Sequence, residues 1–437
     1  MHRRHFLATT ALSHLPLWTL GAESSVANAF SPIKTKLAAG KDAVLFINGD
    51  STSYEKHGPY YLFAKAIGDA MDCKVILHRW AEWNKGKPTG PKEYEPAETL
   101  RETGKATLNV CLATLPGSVA SDMFAGARRA KAIDAIPTPD VCILHHGHNM
   151  RGFPQSLAGD RSSGRGMFLA AIGMTSLKWP GVPQAITNQN PWKNGDEYKT
   201  IFQSIETAAA AQPSITLIDS NSAFITAGKT ADLYRPNDAI HPSDSAANSK
   251  GAQLVADALF ASWTSAALNA AFTTPSWPAM TGESLVRSDF TTSLPADWKL
   301  EGDATTEMVD KAIAIRPNGS VQASLMKVLT KEETASISGK TISITALVRS
   351  APDQVRAIGS FVCRSGGEIR TFLFPDLGTC KDGWLLLVGS GITVDADQPA
   401  PVYLKYYPAF SGKPSASNSP LLIQKVIITE GALPKGL

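Results

Sequence analysis

Cysteine is scarce in this chain of 437 residues, and its five cysteines are scattered. Cys73, Cys111, Cys142, Cys363 and Cys380 form no Cys-x-x-Cys pair, which excludes a zinc ribbon and a thioredoxin-type dithiol. Cys111 and Cys142 sit inside apolar runs and read as small core residues. Cys363 and Cys380 flank a hairpin pattern and could pair in an oxidising compartment; the sequence leaves that pairing open. Charge imbalance is also missing. A formal net charge of +3 favours neither nucleic acid nor an anionic membrane surface as partner. Beyond the N-terminal segment, no stretch is long and apolar enough to span a bilayer. What remains, with 43% hydrophobic and 19% charged residues, is an ordinary globular composition with room for two or three cores.

At the N-terminus, Arg3-Arg4-His5-Phe6-Leu7 precedes a mildly apolar run to Leu20, and Ala27-Asn28-Ala29 has the small-x-small form of a cleavage site. The paired arginines resemble a twin-arginine export signal; the alternative is a general secretory signal whose arginines are only its positive end. Either way residues 1–29 are expected to be a signal peptide, with a mature chain starting near Phe30 and a periplasmic or secreted location.

The apolar run Ala43-Val-Leu-Phe-Ile47 breaks at Asn48-Gly49-Asp50 and delivers one serine, Ser51. A run without alternation suits a strand covered on both faces, as in a parallel sheet. Further runs follow at Lys74–His78, Leu108–Ala113, Asp140–His145, Val182–Thr187 and Ser214–Asp219. Between them, helices are predicted near Tyr60–Met71, Ser118–Ile133, Met167–Leu177 and Asp196–Ala211. A last helix sets Ala247, Gly251, Leu254, Val255, Ala258 and Leu259 on one face. Such alternation predicts one α/β domain, residues 30–265, with a parallel sheet between helices. Trp83–Lys105 reads as a loop rich in Gly, Pro and charge.

Pro275, Pro278 and clustered Thr, Ser and Ala mark residues 266–282 as a linker. From 283 to 437 the texture turns to short β-rich segments, such as Thr341–Val348, Val402–Tyr407 and Leu421–Ile428. Turn signals separate them, and the expectation is an all-β sandwich or jelly roll.

A serine hydroxyl becomes a nucleophile only when a base takes its proton and a third group holds that base. His241, in Asp238-Ala-Ile-His-Pro242, is the best base. Asp238, three residues earlier, can turn its carboxylate to Nδ1–H and leave Nε2 for Ser51. Ser243 or Asp244 is expected to cap the following helix. Gly117 ends the third run and Gly147-His148-Asn149 the fourth, so both belong to the sheet edge that carries Ser51. The N–H groups of Ser51 and Gly117 and the side-chain amide of Asn149 could then face a developing oxyanion.

Taken in order, Gly49-Asp50-Ser51, Gly117, Gly147-His148-Asn149 and Asp238-Ala-Ile-His241 resemble the four signature blocks of the SGNH (GDSL-type) hydrolases, across roughly Asp42–Trp263. The resemblance implies a three-layer αβα fold and ester hydrolysis with Ser51 as nucleophile, His241 as base and Asp238 orienting it. It also implies an oxyanion hole from Ser51, Gly117 and Asn149, with no cofactor. Two departures stand out: Met150 replaces the Asp usual after the third-block asparagine, and Leu115-Pro-Gly-Ser118 matches its block loosely.

Other groups carry less. His145, His146 and His148 crowd one strand end, but no carboxylate or cysteine is spaced to complete a metal site. Trp80 and Trp83 suit packing as well as sugar stacking. Asn188-Gln189-Asn190, Arg161 and Arg165 fit either a turn or the cleft. Trp298, Trp384, Tyr403 and Tyr406 fit a core or a sugar platform.

An export signal, an appended β domain and no lipid-binding lid pattern together point to an O-acetyl ester on a carbohydrate or polysaccharide. Secreted SGNH carbohydrate esterases look similar in layout. A lipase, lysophospholipase or thioesterase on the same machinery is the alternative, and a non-catalytic glycan-binding protein is the alternative from another class.

Overall fold

The computed structural model describes residues 28–430 apart from 85, 121, 125, 151–167, scattered positions between 169 and 180, and residues 197, 211–214, 271–283, 319–322, 350–357, 380–383 and 409–419. Seven strands make the first sheet: β1 (Ala43–Gly49), β2 (Lys74–Arg79), β3 (Glu98–Arg101), β4 (Thr107–Thr114), β5 (Val141–His145), β6 (Gln184–Asn188) and β7 (Thr216–Asp219). Their order is β3-β2-β4-β1-β5-β6-β7. All neighbours are parallel except β3, which lies antiparallel to β2 at the edge. That edge strand falls inside the stretch read from sequence as a loop. It is short and half-exposed, so it lacks the apolar run that marked the others.

The unbroken apolar run of β1 is explained by its two faces. Ala43, Leu45 and Ile47 join a core with Phe63 and Ile67 of helix Pro59–Met71 and Val255 and Leu259 of helix Lys250–Ser265. Phe46 joins the opposite core, with Phe202 and Ile205 of helix Tyr198–Ala210. The result is a three-layer αβα domain. Each such Val, Leu, Ile or Phe side chain, fully buried, contributes roughly 1.5–3 kcal/mol. Helix Pro59–Met71 starts with Pro59 in its first turn after an extended Gly58, and it stops where Asp72 turns left-handed at φ 47°.

The helix expected over Ser118–Ile133 is broken. A 3₁₀ turn spans Asp122–Phe124, and the α-helix covers only Gly126–Ala132. Two backbone groups at its start are taken elsewhere: the Ala120 carbonyl accepts from the Asn48 amide at 2.9 Å, and the Val119 N–H donates to Asp122 Oδ2 at 3.1 Å. Met123 and Phe124 are buried at the break. Most of the expected Met167–Leu177 helix, much of the linker, and Arg161 and Arg165 lie outside the described residues.

From Ser284 to Glu430 the described residues form an antiparallel β-sandwich of eleven strands with one short helix, Lys331–Ile337. The long strand Glu368–Thr379 pairs with Ile358–Ser365 on one side and Leu385–Thr393 on the other, joining the two sheets. Inward residues such as Leu325, Ile344, Phe361, Leu404 and Ile428 fill the core. Trp298 and Tyr406 belong to that core, their rings 5.9 Å apart, so neither forms a sugar platform. Trp384 lies under the guanidinium of Arg349. Cys363 is a buried free thiol, and Cys380 lies outside the described residues. Among the described residues no helix is long and apolar enough to cross a membrane.

Candidate active site

Parallel register brings the loops together. Gly49 is level with Thr114 of β4 and His145 of β5, so the segments after β1, β4 and β5 leave one edge of the sheet. Ser51 stands just past β1. Its Oγ is 2.7 Å from Nε2 of His241, and Nδ1 of His241 is 2.7 Å from Oδ2 of Asp238. The other carboxylate oxygen, Oδ1, accepts from the N–H groups of Ile240 and His241 at 2.7 and 3.0 Å. One aspartate therefore folds its own loop and orients the imidazole. Burial opposes the charge on Asp238, but these backbone donors and the neighbouring imidazole outweigh it and hold its pKa below the usual value.

The loop is braced from several directions. Arg235 forks onto Asp244 at 2.9 and 2.5 Å, and it reaches Glu55 at 3.6 Å. The Lys193 N–H holds the Ala239 carbonyl at 2.8 Å, and the Asn190 amide holds the Ile240 carbonyl at 2.6 Å. Neither Ser243 nor Asp244 is the helix N-cap, because the helix starts later, after Ser249. Ser243 nonetheless serves that end across the loop, its Oγ accepting from the Gly251 N–H at 2.8 Å. Asp244 is committed to Arg235.

Gly117 takes φ +77°, a left-handed conformation that suits glycine. Its loop is tied to the nucleophile's strand by the Leu115 N–H, which donates to the Gly49 carbonyl at 3.1 Å. Asn149 lies on a 3₁₀ turn, His148–Met150, and its side-chain amide donates to the Ser118 carbonyl at 2.9 Å. That bond uses one amide hydrogen and leaves the second for another acceptor. Met150, where the sequence resemblance expects Asp, is buried in the apolar core.

Beneath these loops lies a layer of polar side chains. Asp50 is fully buried and accepts from the Thr52 N–H and hydroxyl at 3.0 and 2.7 Å. Burial works against its charge, but the facing His146, His145 and His148 and the Thr52 N–H outweigh it and lower its pKa. The histidines are pushed the other way. Burial lowers His145 to about 3 and His148 to about 4. His145 bridges Thr52 and Thr187, His146 meets Asn48, and His148 Nδ1 accepts from the Trp192 indole at 2.8 Å. With Nδ1 an acceptor, the proton of neutral His148 sits on Nε2. Among the described residues no group of three or more His, Cys, Asp or Glu side chains is placed to hold a metal ion.

Trp80 is fully buried with its indole on Glu82, so it is core. Asn188, Gln189 and Asn190, which the sequence left between turn and cleft, are buried structural ties. Three consecutive amides at the end of a buried strand were the signal, since the large majority of buried side-chain polar groups are hydrogen-bonded.

The set can move a proton. A Ser51 hydroxyl bonded to an imidazole whose far nitrogen faces a carboxylate is suited to give up its proton as it attacks an electrophile.

A scan against protein-family models and a search of curated proteins find no match to the chain. Among solved structures, a two-domain esterase active on acetylated mannans is similar over 95% of this chain and 98% of its own, at 13% identity and TM-score 0.39. A lipase/acylhydrolase from Enterococcus faecalis covers 50% of this chain and 93% of its own, at 15% identity and TM-score 0.33. A CBM22-1 xylan-binding domain from Paenibacillus barcinonensis Xyn10C covers 35% of this chain and 96% of its own, at 13% identity and TM-score 0.26.

Proposed function

We propose that this chain is a serine ester hydrolase of the SGNH type that works through an acyl-enzyme on Ser51. The observation that supports this reading is the unbroken relay Asp238–His241–Ser51, with both links at 2.7 Å. In the first half-reaction Ser51 Oγ attacks the ester carbonyl carbon and its proton passes to His241 Nε2. The tetrahedral oxyanion accepts hydrogen bonds from the Ser51 and Gly117 N–H groups and the free Asn149 amide hydrogen. Collapse breaks the carbonyl–alkoxy bond, and His241 hands its proton to the departing alkoxide. Water then attacks acyl-Ser51, gives a proton to His241, and releases the acid as Ser51 recovers its hydroxyl. Asp238 stays ionised throughout, as its lowered pKa allows.

The substrate class we infer is an O-acyl, chiefly O-acetyl, ester on a carbohydrate or polysaccharide, met outside the cytoplasm. An N-terminus with export character and an appended β-sandwich support it. Hydrolysis of acetylated xylan and of 4-nitrophenyl esters of rising chain length tests both levels. Acetate release that disappears in Ser51→Ala supports the reading, and unaltered release by that variant rejects the nucleophile. A rate that climbs with acyl length transfers the assignment to a lipase or thioesterase. Retention on polysaccharide with no labelling of Ser51 by a fluorophosphonate makes the chain a glycan-binding protein.

A further inference from the structure

Gln189 is fully buried at the end of β6, and its amide faces two loops at once. The Nε2 group donates to both oxygens of Asp50, at 3.0 Å each, and lies 2.9 Å from Thr52 Oγ1. The Oε1 atom accepts from the His148 N–H at 2.8 Å. Asp50 precedes Ser51, and His148 precedes Asn149. A single side chain thus spans the residues that immediately precede the nucleophile and the oxyanion donor. The fit is close: a Cβ on Gly147 would stand 2.8 Å from Gln189 Oε1, so a side chain there would displace the amide.

We propose that Gln189 is a positioning residue that sets the spacing between Ser51 and Asn149. The inference rests on the acyl-enzyme reading above. It assigns Gln189 to stabilisation of the oxyanion rather than to substrate binding or proton transfer. Its neighbour Asn190 holds the His241 loop through the Ile240 carbonyl, so the two adjacent amides govern different parts of the site.

Two variants test this with 4-nitrophenyl acetate. Gln189→Leu keeps the bulk and removes both bonds. It should lower kcat by roughly tenfold to a hundredfold, the scale of a misplaced reacting group, with KM within about threefold and slower fluorophosphonate labelling of Ser51. Gln189→Glu supplies the second readout. Protonated, its hydroxyl can donate to Asp50 and its carbonyl can accept from His148 N–H. Ionised, it opposes Asp50 across a hydrogen-bond distance. It faces Asp50, and the titratable groups around Asp50 are His145, His146, His148 and Tyr60. Activity of Gln189→Glu should therefore be recovered at acid pH relative to Gln189→Leu and fall along a new alkaline limb. A kcat like the parent's in both variants, a change confined to KM, or an equal loss in both at every pH overturns the role. Full activity of Ser51→Ala is a different failure, because it removes the acyl-enzyme reading itself.

A second, independent observation bears on processing. The Asn28 side chain donates to the Ser262 carbonyl at 2.8 Å and accepts from the Phe30 N–H at 2.9 Å, while the Ala29 N–H donates to Thr216 Oγ1 at 2.9 Å. Ala29 and Phe30 are fully buried, and the Phe30 ring packs on Phe63 and Trp263 at 5.7 and 5.8 Å. Cleavage after Ala29 would discard the Asn28 and Ala29 hydrogen bonds, whereas a chain starting at Asn28 keeps them all, including the bond from the Asn28 nitrogen to Ser31 Oγ at 3.1 Å. We infer that the leader is cut before Asn28, at the earlier small-x-small site Ser25-Val26-Ala27. Intact mass and N-terminal sequencing of the exported protein decide it. A start at Asn28 supports the inference, and a start at Phe30 overturns it while export stands. A retained, unprocessed chain overturns both.

Discussion

Nε2 of His241 lies 2.7 Å from Oγ of Ser51, although 190 positions separate the two residues. The contact depends on a loop whose carboxylate, Asp238, is bonded to its own backbone before it meets the imidazole.

Replacing Asp238 with Asn should therefore act on the base more than on the fold. The amide oxygen can still accept from the Ile240 and His241 N–H groups, but the negative charge beside Nδ1 is lost. A fall in kcat of about 10²–10⁴ is expected with little change in KM or Tm. Steady-state kinetics and thermal melting check it, and a variant with full kcat removes Asp238 from the relay.

Asn149→Ala and Gly117→Ala should separate two effects. The first removes an oxyanion donor and should cost about 10²–10³ in kcat. The second meets open space, so its cost is backbone strain at φ +77°, roughly 1–2 kcal/mol of stability. Urea titration beside kinetics resolves them. Equal stability of Gly117→Ala and its parent would contradict the left-handed turn.

Stability should fall on acidification. Burial takes His145 from 6.5 to about 3 and His148 from 6.5 to about 4. As pH drops below about 6.5 the unfolded chain binds protons that the folded chain refuses, so stability present above that pH is lost through the window down to about 4 and then 3. Tm measured from pH 7.5 to 4.5 should decline steadily; a flat or rising profile would contradict the neutral, buried state of these imidazoles.

The β-sandwich holds a buried ammonium. Lys327 is 2% exposed and is paired with Asp297 at 2.5 Å and Glu333 at 2.6 Å. Burial lowers its pKa, but these carboxylates outweigh that and raise it. Glu333 also closes a capping box with Thr330. Glu333→Ala should cost about 2–4 kcal/mol, because it removes the cap and one partner of a buried charge. Lys327→Met, which removes the charge itself and leaves two carboxylates nearer water, should cost less. Denaturant midpoints compare the two, and the reverse order would contradict this account.

The unbroken apolar runs made six strands and a two-faced sheet legible, because a strand covered on both sides needs no polar alternation. The strand ends then carried Ser51, Gly117 and Asn149, and the loop before the last helix carried Asp238 and His241. The edge strand β3 was not legible, since a short half-exposed strand has no apolar run to announce it. The broken helix after Ser118 was missed for a different reason. Its sequence permits a helix, and the competing bond from Asn48 comes from 72 positions away.

By itself, then, the sequence determined the strand–helix alternation and the loops on which the chemistry-bearing residues stand. Each of those is written in a local period or a short spacing. Only the tertiary structure decided which face Trp298 and Tyr406 take, that Ser243 serves a helix end it does not precede, and that Gln189 joins Asp50 to His148. A buried amide has no period of its own. Its partner is fixed by strand register, which brings together groups 139 positions apart.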